Sequence, residues 1–227
     1  MVSDGNDFHL FVSYTRTPDA AVAQEVERFL ESFHKTRLPE HAEPLPPLRV
    51  CVDGSDFSMP PVAEPAGRVR EILDVVHAHL ARARELLVLC SSGSACSKWV
   101  DEEIRWFVEH RGAARVRIAF TEGAAPHRER ERFFPAAVLE HGLDRDLAYD
   151  LRGYDARRAK GWHQVEDFSR EMVRLAADLH GRSGGELYPT WLEAELERAR
   201  RQSAIADPAV DELAMRLRQH TEGASRS

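Results

Sequence analysis

The sequence predicts an α/β fold, a parallel sheet with helices on both faces. Three observations predict it. Residues 8–14, 48–52, 86–89 and 116–120 are short apolar runs, as expected of strands covered on both sides. The segments between them carry apolar residues at helical spacing, and the two kinds of element alternate without interruption.

The first strand, FHLFVSY, ends in Ser13 and Tyr14. Thr17 or Asp19 can cap the helix that follows, and Pro18 suits its first position. Val22, Val26, Phe29, Leu30 and Phe33 recur at i, i+4, i+7, i+8 and i+11, giving an amphipathic helix of about four turns. Residues 36–47 contain four prolines and read as a connecting loop. The second strand ends at Asp53-Gly54, and the proline-rich stretch 55–67 is a long loop. Val69, Ile72, Leu73, Val76 and Leu80 mark the buried face of a second helix.

Residues 86–108, LLVLCSSGSACSKWVDEEIRWFV, read as a buried strand, a loop of small polar residues and an amphipathic helix capped by Ser97. Trp99, Val100, Ile104 and Phe107 share one face of that helix. Asp101, Glu102, Arg105 and Glu109 fall outside the stripe, whereas Glu103 falls inside it, one turn from both Trp99 and Phe107. A carboxylate buried there needs a partner. Either Glu103 sits at the stripe's margin and reaches water or an arginine, or it lines a pocket above the strand ends, where doubly wound sheets hold ligands.

After the fourth strand the pattern weakens. Residues 122–134, with HRERER inside, read as a solvated loop or frayed helix, since glutamates balance the basic run. A short fifth strand is expected at 147–151. Phe168, Met172, Leu175 and Leu179 mark a last domain helix stopped by residues 181–185, which also lack the lysine of a phosphate loop. Beyond it, Thr190 and Glu193 form a candidate capping box ahead of Leu192, Leu196 and Ala199. Asp207-Pro208 opens a further helix with Val210, Leu213, Ala214 and Leu217, and TEGASRS at the end favours disorder. These features divide the chain into a domain at 1–182 and a helical extension or linker at 183–227.

Composition narrows the function classes. The 227 residues are 43% hydrophobic, ample for one sizeable core. The net charge of −7, with basic and acidic residues interleaved, argues against a nucleic-acid partner. Cys51, Cys90 and Cys96 lack metal-ligand spacing and suit a reduced, cytoplasmic protein. Cys96 reads as structural or idle rather than reactive, and no run is long enough to span a bilayer.

Three motifs in order resemble the TIR (Toll/interleukin-1 receptor) domain. Phe11 to Tyr14 (FVSY) is similar to its first-strand signature. RVCVDGSDFSMPP, from Arg49, is similar to its second strand and BB loop, and SKWVDEE, from Ser97, to its S-x-W-[CV]-x-x-E motif. The likeness covers residues 7–180 and is nearest to bacterial TIR heads of NTPase-type defence proteins, with Asp150-Leu151-Arg152 matching a late D-L-R segment. Val100 stands where many relatives have cysteine. No NTPase segment is present, so the chain is expected to stand alone or to be the head of a longer protein.

The resemblance implies a flavodoxin-like fold with a five-stranded parallel sheet. It implies one of two activities: NAD+ glycohydrolysis to nicotinamide and ADP-ribose or a cyclic isomer, or a scaffold that only associates with other TIR domains. In the enzymes the glutamate of the third motif is catalytic, and here that residue is Glu103. NAD+ is then the substrate, no cofactor or metal is needed, and activity is expected from a homo-oligomer of TIR domains. Departure of the cationic nicotinamide leaves an oxocarbenium-like ribose that a carboxylate stabilises. Partial desolvation against Trp99 strengthens that effect. Ser13, Tyr14 and Arg16 are candidates for binding ribose or phosphate, or else form a surface turn. Asp53 and the loop to Phe57 are candidates for the pocket wall or an assembly surface. Trp99 reads first as a packing residue and second as part of the NAD+ site. Ser91 and Ser97 are caps first, and His9 reads as a core histidine. A different N-glycosidase on a similar fold is the more distant alternative.

Overall fold

The computed structural model describes residues 6–35, 45–52, 66–123, 128–145, 148–152, 154, 166–202 and 214–216. Two compact units divide the chain: Met1–Glu31 with Leu48–Gly153, and Ser32–Pro47 with Tyr154–Ser227. The first holds a five-stranded parallel sheet made of β1 (Phe8–Ser13), β2 (Val50–Val52), β3 (Ala83–Cys90), β4 (Val116–Phe120) and β5 (Tyr149–Asp150). Its helices are α1 (Arg16–Phe33), α2 (Ala66–Ala81), α3 (Ser92–Ala95), α4 (Lys98–Arg111), α5 (Arg130–Phe133) and α6 (Ala136–Glu140). The second unit contains α7 (Glu166–Leu179) and α8 (Gly184–Gln202).

Strand order is β2-β1-β3-β4-β5 with all pairings parallel, the flavodoxin-like arrangement. The order follows from the connections. Right-handed crossovers carry β1 to β2 on one side and β3 to β4 on the other, so α1 and α4 lie on opposite faces. The β2-to-β3 crossover passes over β1 and puts α2 beside α4, and those two helices pack together. One core cluster accordingly joins Phe11, Leu86, Val88 and Ile118 to Val76 and Leu80 of α2 and to Val100, Ile104 and Phe107 of α4. Leu10, Val12, Leu87 and Leu89, of opposite strand parity, are buried on the face assigned to α1, where Val22, Ala23, Val26 and Leu30 are also buried.

Most elements fall where the spacing predicts them, and three depart. The polar run after β3 is not all loop, because Ser91 nucleates α3 through a capping box: its hydroxyl accepts from the Ser94 N–H while its own N–H donates to Ser94 Oγ. Within 122–134, expected to be a solvated loop or frayed helix, residues 130–133 form α5, and beyond it comes α6, which the sequence did not signal and whose Ala137 N–H donates to the Asp101 carboxylate of α4 at 2.8 Å. Thr190 is not a helix cap, because α8 runs continuously through it and through Pro189. Leu187, Tyr188, Trp191, Leu192 and Leu196 are buried along this helix, which packs on α7, and that burial outweighs the one helical bond the proline removes. The expected stop is present. Gly181 adopts φ 65°, with Arg182 N–H donating to Ala177 O and Gly181 N–H to Asp178 O, a Schellman motif. The capping role offered to Asp19 gives way to a different one, described below. The loop at 36–44, the BB-loop region with Asp53, and the helix expected from residue 207, apart from 214–216, lie outside the described residues. No described helix is long and apolar enough to cross a membrane.

His9 sits at the amino end of β1, where its Nδ1 accepts from the Arg49 N–H at 3.0 Å. Burial lowers its pKa from 6.5, and the charges of Arg84 and Arg49 lower it further. Below pH 6.5 the unfolded chain therefore takes up a proton that folded His9 resists, and a protonated Nδ1 could not accept the Arg49 bond. The stability this histidine supports is complete above pH 6.5 and declines as the pH falls toward its folded value. Urea midpoints at pH 7.5, 6.5 and 5.5 should drop more steeply on acidification for the wild type than for His9→Gln.

Candidate active site

Glu103 and Ser13, ninety residues apart, meet at the carboxyl end of β1. Ser13 follows Phe11 by two residues and so faces α4, and its hydroxyl donates to Glu103 Oε2. Both residues are buried, Ser13 at 1% and Glu103 at 8% relative exposure. Ser97 caps α4 by accepting from the Val100 N–H at 3.3 Å, and Val100, Ile104 and Phe107 anchor the helix face. Helix phase then leaves Glu103 no direction but inward. Glu103 is thus buried, with the Ser13 hydroxyl as one partner.

Ser13 pairs with Val88 of β3, at the point where the connections of neighbouring strands diverge. Open sheets bind ligands outside the carboxyl ends of their strands at such a switch point. Tyr14 is half-buried in the turn that follows, and Arg16 is exposed one residue beyond Thr15. Trp99 is half-buried on the first turn of α4, four residues before Glu103 and thus on the same side of the helix. Asp53 lies outside the described residues. Among the described residues, no group of three His, Cys, Asp or Glu side chains could hold a metal ion. The arrangement offers a desolvated carboxylate, oriented by a hydroxyl, beside a turn bearing a phenol and a guanidinium.

A second buried carboxylate is that of Asp19, which the sequence offered only as a helix cap. Asp19 has no exposed surface, and its carboxylate accepts from Thr15 Oγ1 at 2.9 Å, Ser91 Oγ at 2.7 Å and Thr121 Oγ1 at 2.6 Å. Thr15, Ser91 and Thr121 stand just beyond the ends of β1, β3 and β4. A hydroxyl residue after each of three parallel strands was the available signal. Thr17, held before Pro18, has an extended backbone (φ −124°, ψ 118°). Asp19 begins its turn on the far side of that residue, with its N–H donating to Thr15 O at 3.1 Å. Next to this cluster the Cys90 thiol is fully buried, and burial followed by the Asp19 charge pushes its pKa far up.

With this geometry in hand, the chain is a flavodoxin-like α/β protein with a buried carboxylate at its switch point. A family model described as "Thoeris protein ThsB, TIR-like domain" matches residues 11–121, the segment that carries Ser13, Asp19 and Glu103, and this segment is a TIR domain of the bacterial kind. A solved structure, "Structure of the activated Roq1 resistosome directly recognizing the pathogen effector XopQ (TIR domains)", is similar at 12% identity. It aligns over 76% of this chain and 99% of that one with a TM-score of 0.43. No curated protein matches the chain.

Two outcomes test this geometry. Ser13→Ala removes a donor from a buried carboxylate and should cost ~1–3 kcal/mol in urea denaturation at pH 7. Gly93 of α3 presses on the turn after β1, where an added Cβ would lie 2.6 Å from Thr15 Oγ1 and 2.6 Å from Thr17 O. The second contact is backbone and cannot rotate away. Gly93→Ala should therefore lower the melting temperature, with a loss of ~1–3 kcal/mol.

Proposed function

We propose that this TIR domain is an NAD+ glycohydrolase that cleaves the nicotinamide–ribose bond, with Glu103 as its catalytic carboxylate. The observation that supports it is the buried Ser13–Glu103 pair at the carboxyl end of β1. When the C1′–N bond breaks, its electron pair goes to the pyridinium ring and neutralises it, so nicotinamide needs no acid to leave. Positive charge develops on C1′ and the ring oxygen of the ribose. A carboxylate in a site of reduced dielectric stabilises that charge more than it stabilises bound NAD+, and so lowers the barrier. Water then adds to C1′ and loses a proton, giving ADP-ribose; an internal nucleophile in its place gives a cyclic isomer.

Ser13 has a defined part in this scheme. Its hydroxyl fixes one oxygen of Glu103, which holds the carboxylate in one orientation before substrate arrives. Tyr14 and Arg16, in the turn just after it, are proposed to contact ribose hydroxyls and the pyrophosphate. Trp99 is proposed to wall the site and limit water. Copies of the domain are proposed to assemble when active, and the biological setting is proposed to be antiphage defence.

The decisive assay incubates concentrated protein with NAD+ and follows nicotinamide release, in the wild type and in Glu103→Gln, an isostere that still accepts from Ser13. Loss of the charge should reduce the rate ~100- to 1,000-fold. Equal rates would remove Glu103 from the mechanism. Self-association without nicotinamide release at any concentration would make the domain a scaffold.

A further inference from the structure

We infer that Asp19 is a positioning residue of this site: through one buried carboxylate it ties together the carboxyl ends of β1, β3 and β4, and so fixes the Ser13–Glu103 pair. The inference rests on the reading of Glu103 as the working carboxylate.

Asp19 is wholly buried, and the partners described for its carboxylate are three neutral hydroxyls, from Thr15, Ser91 and Thr121. Three loops that are remote in sequence thereby share one acceptor. A buried carboxylate with such partners is an expensive tether, since apolar packing could close the same gap at lower desolvation cost. It supplies direction instead. Each hydroxyl is fixed in distance and angle, and the partners are in turn committed elsewhere. Ser91 Oγ also accepts from the Ser94 N–H and so caps α3. Thr121 N–H donates to Cys90 O, bridging β3 and β4. Thr15 is two residues from Ser13, and the Tyr14–Arg16 turn runs between Ser13 and Asp19. Gly93 packs onto Thr15 from the α3 side and keeps that turn from swinging outward. Removing the carboxylate frees the turn after β1, and with it the residue that orients Glu103.

The chemistry separates a geometric role from a charge role. In Asp19→Asn the amide NH2 can donate to Thr15 Oγ1 and Ser91 Oγ after those hydroxyls rotate, while the amide oxygen still accepts from Thr121. The tether survives without its charge. Asp19→Ala removes it.

The test reads Glu103 directly. The 13C resonance of its side-chain carboxyl, assigned by its loss in Glu103→Gln, is compared at one pH in the wild type, Ser13→Ala, Asp19→Ala and Asp19→Asn. Ser13→Ala should displace the resonance, Asp19→Ala should displace it in the same direction, and Asp19→Asn should leave it near the wild-type position. Should Asp19→Ala fail to fold, Thr15→Val, which deletes one hydroxyl without changing volume, should give a smaller displacement of the same sign. A resonance that moves in Ser13→Ala but stays fixed in Asp19→Ala, or in Thr15→Val, overturns the inference, as does one that Ser13→Ala fails to move. In turnover, Asp19→Ala should lower kcat per folded molecule by ~10- to 100-fold and Asp19→Asn by less than about 3-fold. Loss of folded fraction with unchanged kcat would mean a merely structural part and would also overturn it. If the wild type releases no nicotinamide, the enzymatic reading fails by itself, and the resonance measurements still decide the role of Asp19.

Discussion

The parallel pairing of β1 with β3 in the middle of the sheet is the constraint on which everything else depends. It places Ser13 beside Val88 and makes their carboxyl ends part in opposite directions, one chain toward β2 and the other toward β4. Because the crossovers are right-handed, the helix leaving β3 returns over the face to which Phe11 and Ser13 point. Glu103 reaches Ser13 because of this handedness. With β1 at an edge, or α4 on the other face, the same residues would not meet.

The sheet treats its buried carboxylates in two ways. Glu85 of β3 is held by Arg117 of β4, which also donates to the Tyr149 hydroxyl at 3.1 Å. Burial works against that guanidinium's charge, yet Glu85 and Tyr149 outweigh it and raise its pKa above the ordinary value. Glu103 and Asp19, at the carboxyl ends, accept from hydroxyls. An ion pair neutralises a carboxylate, whereas hydroxyls orient it and leave its charge in place. Position differs as well: the ion pair ties β3 to β4 near their amino ends, and the hydroxyl-bonded carboxylates stand at the carboxyl ends of the strands. The exposed pairs, such as Arg105 with Glu140, lie in water and contribute little to either purpose.

The strands, α1, α2 and α4 were legible because burial on both faces writes continuous apolar runs and burial on one writes a 3.6-residue stripe. The inward direction of Glu103 was legible for the same reason, as a carboxylate at an apolar phase. Its partner was not, since nothing in local spacing links residue 103 to residue 13. Asp19 was harder still. Before a helix and after Thr17-Pro18 it has every mark of a cap, and its actual acceptor role depends on hydroxyls brought from residues 91 and 121 by the sheet. The short helices α3, α5 and α6 escaped because four or five residues cannot display a period. Continuity of α8 across Pro189 escaped because packing on α7 overrode a local breaker.

The thiols follow the same division between inside and outside. Cys51 and Cys90 are buried in β2 and β3, and Cys96 is exposed in the turn ahead of α4. A thiol must ionise to react, and burial beside Asp19 suppresses ionisation of Cys90. A thiol-directed electrophile meeting the native fold therefore finds one thiol, Cys96, on the segment leading into the helix of Glu103. The other two become reachable only when strands separate. Alkylation of the chain is thus a two-level record: the first adduct reports its surface, and the next ones report the opening of the sheet itself.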